Sequence, residues 1–470
     1  MSRLVMKFGG TSVGDASAFA QVRDIVSQNV RSGSRVIVVV SAMSGVTNDL
    51  TRGIVGAAGG DEQVYHEVCR SLSNRHLDVI SELLNKGPAR DELISTIGSL
   101  ISEYERLCSS VRVLGEVTPR VMDAALSRGE RMSARILAAL LQQDGVRSEA
   151  VDATELIVTD AAFGNAAPIT QQTRERITSR LVPMLDADLT PVVTGFIAAT
   201  EEGLTTTLGR GGSDYTAAIV GDALNVDAVW IFTDVDGVMT ADPRIVPDAR
   251  VIPVISYIEV GELAYFGAKV LHPRTIRPVI EREIPVWVKN TFHPERPGTR
   301  IVRETTNSHG TVKAVTMITG LSMVTIAGRG MVGIPGIAGR TFSAVAREKT
   351  SVLMISQASS EQSICFVIPT AGAERVVHAL QEEMEREISR RDIDRIWSDD
   401  GIVIISAIGT GMRGTPGISA RIFGALGSVG INVIAIAQGS SECSISLVVD
   451  AADATRAVKR IHKEVINHGT

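Results

Sequence analysis

Aromatic side chains are scarce: Phe, Trp and Tyr make up 4% of the 470 residues. That argues against base stacking as the chain's main business. Positive charge in excess is missing as well. The formal net charge is −6, which speaks against a large nucleic-acid footprint. Cysteine is sparse, and Cys69, Cys108, Cys365 and Cys443 lie far apart with no Cys-x-x-Cys pair. This disfavours a disulfide frame or a zinc site and suits reduced thiols packed in cores. No apolar run reaches the ~18 residues of a membrane span, and no secretory signal opens the chain. A cytoplasmic protein without nucleic-acid or membrane partners is therefore expected. What remains is an ordinary globular composition, 44% hydrophobic and 21% charged, at a length that calls for two or three domains.

The chain opens on its densest motif. The apolar run Leu4-Val-Met-Lys-Phe8 ends abruptly in Gly9-Gly10-Thr11-Ser12, and Asp15 then offers a helix cap. This reads as a buried strand, a tight turn with bare backbone N–H groups, and a helix start. Such a turn favours an anion, and Lys7 adds a full positive charge beside it. The spacing matches neither a Walker A loop nor the Gly-x-Gly-x-x-Gly dinucleotide fingerprint. Two readings stay open on these residues alone: a phosphate site, or a turn whose lysine snorkels.

Strand and helix then alternate. Phe19, Val22, Val26 and Val30 predict a helix over 15–30, and Arg35–Val40 is a continuous apolar strand of the parallel-sheet type. It runs into Ser41-Ala-Met-Ser-Gly-Val-Thr-Asn48, a second small-residue loop at the edge where ligands sit in open parallel sheets. Residues ~60 to ~145 read as helices broken at Pro88 and Pro119. Within them lies Glu130, which reads as solvated unless a cavity claims it. A strand is predicted over 191–198, then three threonines lead to Gly209-Arg-Gly-Gly-Ser-Asp214. Arg210 offers a planar fork for a carboxylate or phosphate, and Ser213 or Asp214 a helix cap. After the strand 227–233 comes Asp234-Val-Asp-Gly237, which lacks the further ligands of an EF-hand and fits a turn at a nucleotide pocket. One helix is expected over 261–282, carrying Lys269 as a second phosphate cation and His272 as a structural hydrogen-bonder, and a strand over 284–288 follows. The polar stretch 302–311 reads as a linker.

The last third repeats itself. Gly330-Met-Val-Gly-Ile-Pro-Gly-Ile337 returns at 411–418 as Gly-Met-Arg-Gly-Thr-Pro-Gly-Ile, and Ile355-Ser-Gln-Ala-Ser-Ser-Glu361 returns at 436–442, both 81 residues on. Each unit reads as a βαββαβ module. The fourth strand of the second unit is missing from its own end. The strand 312–318 supplies it, which places the first unit (319–398) as an insertion within the second (312–318 plus 399–470). Gln357 and Gln438 recur at one place and suit a small-molecule effector, although duplication alone would also repeat them.

Lys7-Phe-Gly-Gly-Thr-Ser-Val13, Gly209-Arg-Gly-Gly-Ser-Asp214, Thr233-Asp234 with Asp242-Pro-Arg244, and Phe266-Gly-Ala-Lys-Val-Leu-His-Pro273 together resemble the aspartate kinases of the amino-acid kinase superfamily. The likeness covers essentially the whole chain, the repeated units resembling paired ACT domains. It implies an α/β fold, an open and mainly parallel sheet between helices over 1–301, followed by two α+β modules. It also implies transfer of the ATP γ-phosphoryl group to the β-carboxylate of L-aspartate. A carboxylate acceptor is already ionised at pH 7 and needs no general base, only alignment and charge neutralisation.

By motif, Lys7 stabilises the γ-phosphoryl charge with Gly9, Gly10 and Thr11, and Lys269 holds phosphates. Ser41, Thr233, Asp234, Met239 and Arg244 line the nucleotide pocket. Many relatives carry tyrosine where Met239 stands. Arg210 forks onto the α-carboxylate, Glu130 pairs with the ammonium, Thr47 and Ser213 add hydrogen bonds, and Asp214 organises the lysines. Mg2+ is expected on the phosphates, with few protein ligands and no protein metal cluster. Gln357, Gln438 and Asn432 are the effector candidates, with threonine placed ahead of lysine. The resemblance further implies a homodimer or larger homo-oligomer through the ACT modules, and the residues beyond the second unit are expected to leave no room for a fused homoserine dehydrogenase. Two alternatives remain: a superfamily kinase for glutamate, acetylglutamate or a nucleotide, and an amino-acid sensor with an inactive kinase domain.

Overall fold

A computed structural model describes residues 2–267, 271, 273–304 and 312–466. They gather into two units. The first holds 2–238, 251–257 and 271–304, and the second holds 239–250, 258–267 and 312–466.

The centre of the first unit is the strand Arg3–Phe8. Parallel neighbours Arg35–Val40 and Ala228–Thr233 flank it, and Thr190–Thr194, Ser148–Val151 and Val286–Asn290 extend the parallel sheet. Thr299–Val302 then pairs antiparallel and Val254–Ser256 closes the eight-stranded order. Successive side chains of a strand face opposite ways. Leu4, Met6 and Phe8 enter the main core with Val36, Val38 and Val40, under helices Ala16–Arg31, Val46–Ala58, Glu62–Leu83, Pro88–Leu114 and Arg128–Gln143. The intervening residues, Lys7 among them, face the other layer, where helix Gly212–Leu224 packs on the same strand. Pro88 and Pro119 each stand at the start of a helix, where a missing N–H costs nothing. Among the described residues no helix is long and apolar enough to cross a membrane.

Three expectations need correction. The stretch 191–198 is two strands, Thr190–Thr194 and Ile197–Thr200, because Phe196 takes φ = 67° and turns the chain into a second, three-stranded sheet with Val158–Thr159 and Thr205–Thr207. The helix expected over 261–282 is two helices, Tyr257–Tyr265 and Pro273–Glu281, the first ending in a turn at Gly267 with φ = 85°. Helix Gly212–Leu224 is capped by neither Ser213 nor Asp214. Left-handed Gly211 begins it, which releases the Asp214 carboxylate for other work.

The second unit is built on one six-stranded sheet and two cores. Strands Ala314–Ala327 and Arg395–Ile408 run antiparallel along most of their length. The first half of one strand and the second half of the other serve one repeat, and the remaining halves the other: 314–318 lie against 404–408, whereas 324–327 lie against 395–398. Gly320 and Gly401, also 81 residues apart, both take φ = 73° where the register shifts. Each repeat keeps its own apolar cluster, one around Phe366 and Leu380, one around Leu447 and Ile461. The contacts repeat with the sequence. Glu361 accepts from the Gly333 N–H at 3.0 Å and Glu442 from the Gly414 N–H at 2.8 Å. Arg340 bonds the Glu383 carbonyl as Arg421 bonds the Glu464 carbonyl. The glutamate of each Gln-x-Ser-Ser-Glu motif thus fastens its own glycine turn, so part of the recurring polarity is structural. Two outlying segments pack here as well. The Thr240 hydroxyl meets His462 Nε2 at 2.9 Å, and Glu259, fully buried, accepts from the Thr410 N–H and hydroxyl at 2.7 Å each.

Candidate active site

Parallel strands that end side by side leave their following loops on one edge. In the first unit the loops after Phe8, Val40, Thr194 and Thr233, with helices from the layer above, enclose a cavity of about 830 Å3. That is the size of an ordinary small-molecule site. Lys7, Gly9, Gly10, Thr11, Ser41, Thr47, Glu130, Arg210, Ser213, Asp214 and Thr233 all line it. Widely separated segments of the sequence therefore meet in one place.

On one wall, Lys7 Nζ lies 2.5 Å from Asp214 Oδ1, their side chains 11% and 16% exposed. The aspartate sits in the first turn of its helix, where the dipole favours a negative charge. Gly9 departs from expectation. Its N–H is spent on the Phe232 carbonyl at 3.3 Å, which removes it from the expected anion contacts of this turn.

Glu130 occupies the opposite kind of environment. It is 3% exposed in the first turn of helix Arg128–Gln143. Its Oε1 accepts from the Ala42 N–H at 3.1 Å, while Oε2 is buried without a hydrogen-bond partner among the described residues. Burial pushes its pKa up from an ordinary 4.5 to about 7. Gly129 makes the approach possible, since a Cβ there would lie 2.6 Å from the Ala42 Cβ. A half-satisfied carboxylate lining a cavity has the chemistry to take a cation.

Arg210 is exposed in the loop between Thr207 and helix Gly212–Leu224. Gly209 precedes it at φ = 73°, and a Cβ there would strike Asn165 Oδ1 at 2.5 Å. Thr47 and Ser41 are half-buried and Ser213 is buried.

Of the remaining expected residues, those that the structure describes are not in this wall. Asp234 is exposed and accepts from the Thr233 hydroxyl at 3.0 Å. Met239 and Arg244 belong to the second unit, where their segment packs against strand Ala314–Ala327 and His462. There Arg244, with its side chain 81% exposed, is taken up by Asp242 at 2.6 Å. Lys269 and His272 lie outside the described residues, as does 305–311 of the expected linker. Gln357 and Gln438 are exposed at the ends of strands Met354–Gln357 and Ala435–Gln438, and Asn432 is exposed just before the latter.

Sequence reading passes over Asp123, Met122, Leu126, Phe196 and Thr207, which also line the cavity. A signal for Asp123 is present: it precedes Glu130 by seven residues, two helical turns, so the two carboxylates fall on one side of a helical arm.

Comparison with known proteins accords with this geometry. The family model described as amino acid kinase family matches residues 2–290, and the ACT domain model matches twice, at 324–384 and 405–465. The bifunctional aspartokinase/homoserine dehydrogenase 1 of Zea mays is 36% identical over 462 residues, 97% of this chain but 50% of that protein. The chain thus spans about half the length of the bifunctional relatives it matches. The aspartokinase of Schizosaccharomyces pombe is 31% identical, with 98% of this chain and 92% of that protein covered. Aspartokinase III of E. coli, solved with aspartate and ADP, superimposes at a TM-score of 0.79 with 30% identity, covering 98% of this chain and 99% of that one. The same E. coli enzyme is also known with lysine and aspartate, at 0.78 and 30%, with the same coverage. The chain belongs to the amino acid kinase family, in its aspartokinase branch, with paired ACT domains.

Proposed function

We propose that the chain transfers the γ-phosphoryl group of ATP to the β-carboxylate of L-aspartate, giving 4-phospho-L-aspartate and ADP. One observation carries this reading: a buried, half-satisfied Glu130 and an exposed Arg210 line the same cavity as the Lys7–Asp214 pair. Glu130 would take the substrate ammonium and Arg210 its α-carboxylate. That leaves the β-carboxylate to meet the phosphoryl group near Lys7. Lys7 would neutralise charge on the transferring group while the Gly10 and Thr11 N–H groups hold phosphate oxygens. Asp214 keeps the lysine aimed, and Thr47, Ser41 and Ser213 would hydrogen-bond the two substrates. Asp234, Met239, Arg244 and Lys269 are kept as the nucleotide side of the reading. A magnesium ion bound through phosphate oxygens fits the hard oxygen donors here, Asp214 among them, and would supply further positive charge. The solved E. coli relative with aspartate and ADP supports the substrate pair.

The same reading assigns residues 1–301 to the kinase and the rest to two ACT modules, the first inserted in the second. The pairing of 314–318 with 404–408 favours that insertion. The modules would bind an amino-acid effector near Gln357, Gln438 and Asn432 and join copies of the chain into a dimer or larger assembly in the cytoplasm. Threonine is the first candidate, and the lysine complex of the E. coli enzyme keeps lysine as the second.

The test is ADP release from MgATP with L-aspartate as acceptor, repeated with threonine and then lysine. Aspartate-dependent turnover is expected, suppressed by one of the two. Turnover with glutamate or acetylglutamate but not aspartate would refute the substrate, and no turnover with any acceptor would favour a sensor.

A further inference from the structure

Asp123 is a carboxylate with 1% exposure in helix Pro119–Leu126. Three donors hold it. Its Oδ2 accepts from the Gly164 N–H at 2.8 Å and the Thr207 N–H at 3.0 Å, and its Oδ1 accepts from the Thr207 hydroxyl at 2.7 Å. An amide of the same shape can keep the two N–H donors on its one oxygen, but it meets the Thr207 hydroxyl with an N–H2 in place of an acceptor and carries no charge. These donors are not scattered. Thr207 ends the strand from which Gly209 and Arg210 emerge. Gly164 precedes Asn165, the residue that abuts Gly209. The Ala166 N–H also bonds the Thr207 carbonyl, at 2.9 Å. Asp123 therefore ties together the two segments between which the Arg210 loop is seated.

The same helical arm, broken only at Ser127, continues into helix Arg128–Gln143 and presents Glu130. One arm thus carries two carboxylates with different tasks. Glu130 reaches into the cavity with an unpartnered oxygen. Asp123 reaches sideways and grips the loop that bears the cation. A shift in the grip moves Arg210 relative to Glu130, and a misplacement of about 1 Å costs on the order of 100-fold in a positioned reaction.

We infer that Asp123 is a positioning residue that fixes Arg210 at the spacing from Glu130 demanded by a free α-amino acid. It thereby sets the enzyme's preference for a substrate with an unmodified α-carboxylate. This rests on the aspartate-kinase reading above and adds to it the device that measures the substrate's zwitterionic end.

The experiment compares L-aspartate with its α-amide, which keeps the ammonium and the β-carboxylate but lacks the α-carboxylate. The measured quantity is the ratio of kcat/KM for the two acceptors, with KM for ATP beside it. Wild type should prefer aspartate strongly. Asp123→Asn should compress that preference by about tenfold or more, from the loss of hydrogen bonds to a charged group, and leave KM for ATP within about twofold. Thr207→Ser, which keeps both donors, should retain the wild-type ratio. If Asp123→Asn does not fold, Thr207→Val removes only the hydroxyl donor and should compress the ratio in the same direction. An unchanged ratio in the folded variant overturns the inference, as does a KM for ATP that rises in step with that for aspartate. A wild type that turns over neither acceptor removes the kinase reading and this inference with it.

Discussion

Replacing Glu130 by glutamine should move binding and stability in opposite directions. In the unliganded protein the carboxyl is buried with one oxygen unpartnered, and its pKa stands near 7 instead of 4.5. The native state therefore holds this proton more tightly than the unfolded chain does. Stability from this group is present below about pH 4.5 and is lost as the pH rises toward 7. Between pH 5 and pH 8 the loss amounts to roughly 2–3 kcal/mol. Glu130→Gln removes the titration but not the shape. The thermal midpoint of the variant relative to wild type should climb from pH 5 to pH 8, and any fixed cost of the amide cancels in that comparison. Aspartate binding should respond the other way. Loss of one partner of a desolvated charge pair costs about 2–5 kcal/mol, so KM for aspartate should rise at least about 30-fold. In wild type, kcat/KM for aspartate should fall as the pH drops below about 7, because a protonated Glu130 offers the ammonium no charge. In the variant that dependence should vanish. A variant that kept both a low KM and the wild-type pH profile would refute the assignment of Glu130 to the ammonium.

Other outcomes follow from the same geometry. Lys7→Ala should lower kcat at least ~100-fold, read by ADP release, since a preorganised charge at the phosphoryl group is lost; near-normal turnover would take Lys7 out of the mechanism. Gly129→Ala puts a methyl 2.6 Å from Ala42, so the helix must withdraw and KM for aspartate should rise about tenfold or more with little change in KM for ATP. Gln357→Ala and Gln438→Ala should relieve inhibition by the effector and spare basal turnover, measured as the effector concentration for half inhibition. Unchanged inhibition in both would remove the two glutamines from the effector site.

Much of the cavity wall is legible in the sequence, because its residues sit in glycine-rich turns after apolar strands. Lys7, Ser41, Arg210 and Thr233 each follow or end a run that reads as a buried strand. Where local signals are ambiguous, the reading fails in physically intelligible ways. A continuous apolar run does not reveal that Phe196 adopts a left-handed backbone, so two strands look like one. A serine and an aspartate after glycines look like caps, but Gly211 begins the helix and Asp214 is engaged by a lysine about two hundred residues away in sequence. Asp123 carries no motif beyond its seven-residue spacing from Glu130, and its partners Gly164 and Thr207 are brought to it only by the fold.

The two long strands of the second unit have a consequence for anyone who would take the protein apart. Ala314–Ala327 and Arg395–Ile408 each belong to both repeats, so neither repeat has a seam along which it can be cut. Excising residues 319–398 would sever both rods at once, leaving 314–318 against 404–408 and removing 324–327 with 395–398. A fragment cut from this unit has to carry both repeats to keep either strand whole, and a lesion that melts one half of a strand should be felt in the other as lost order.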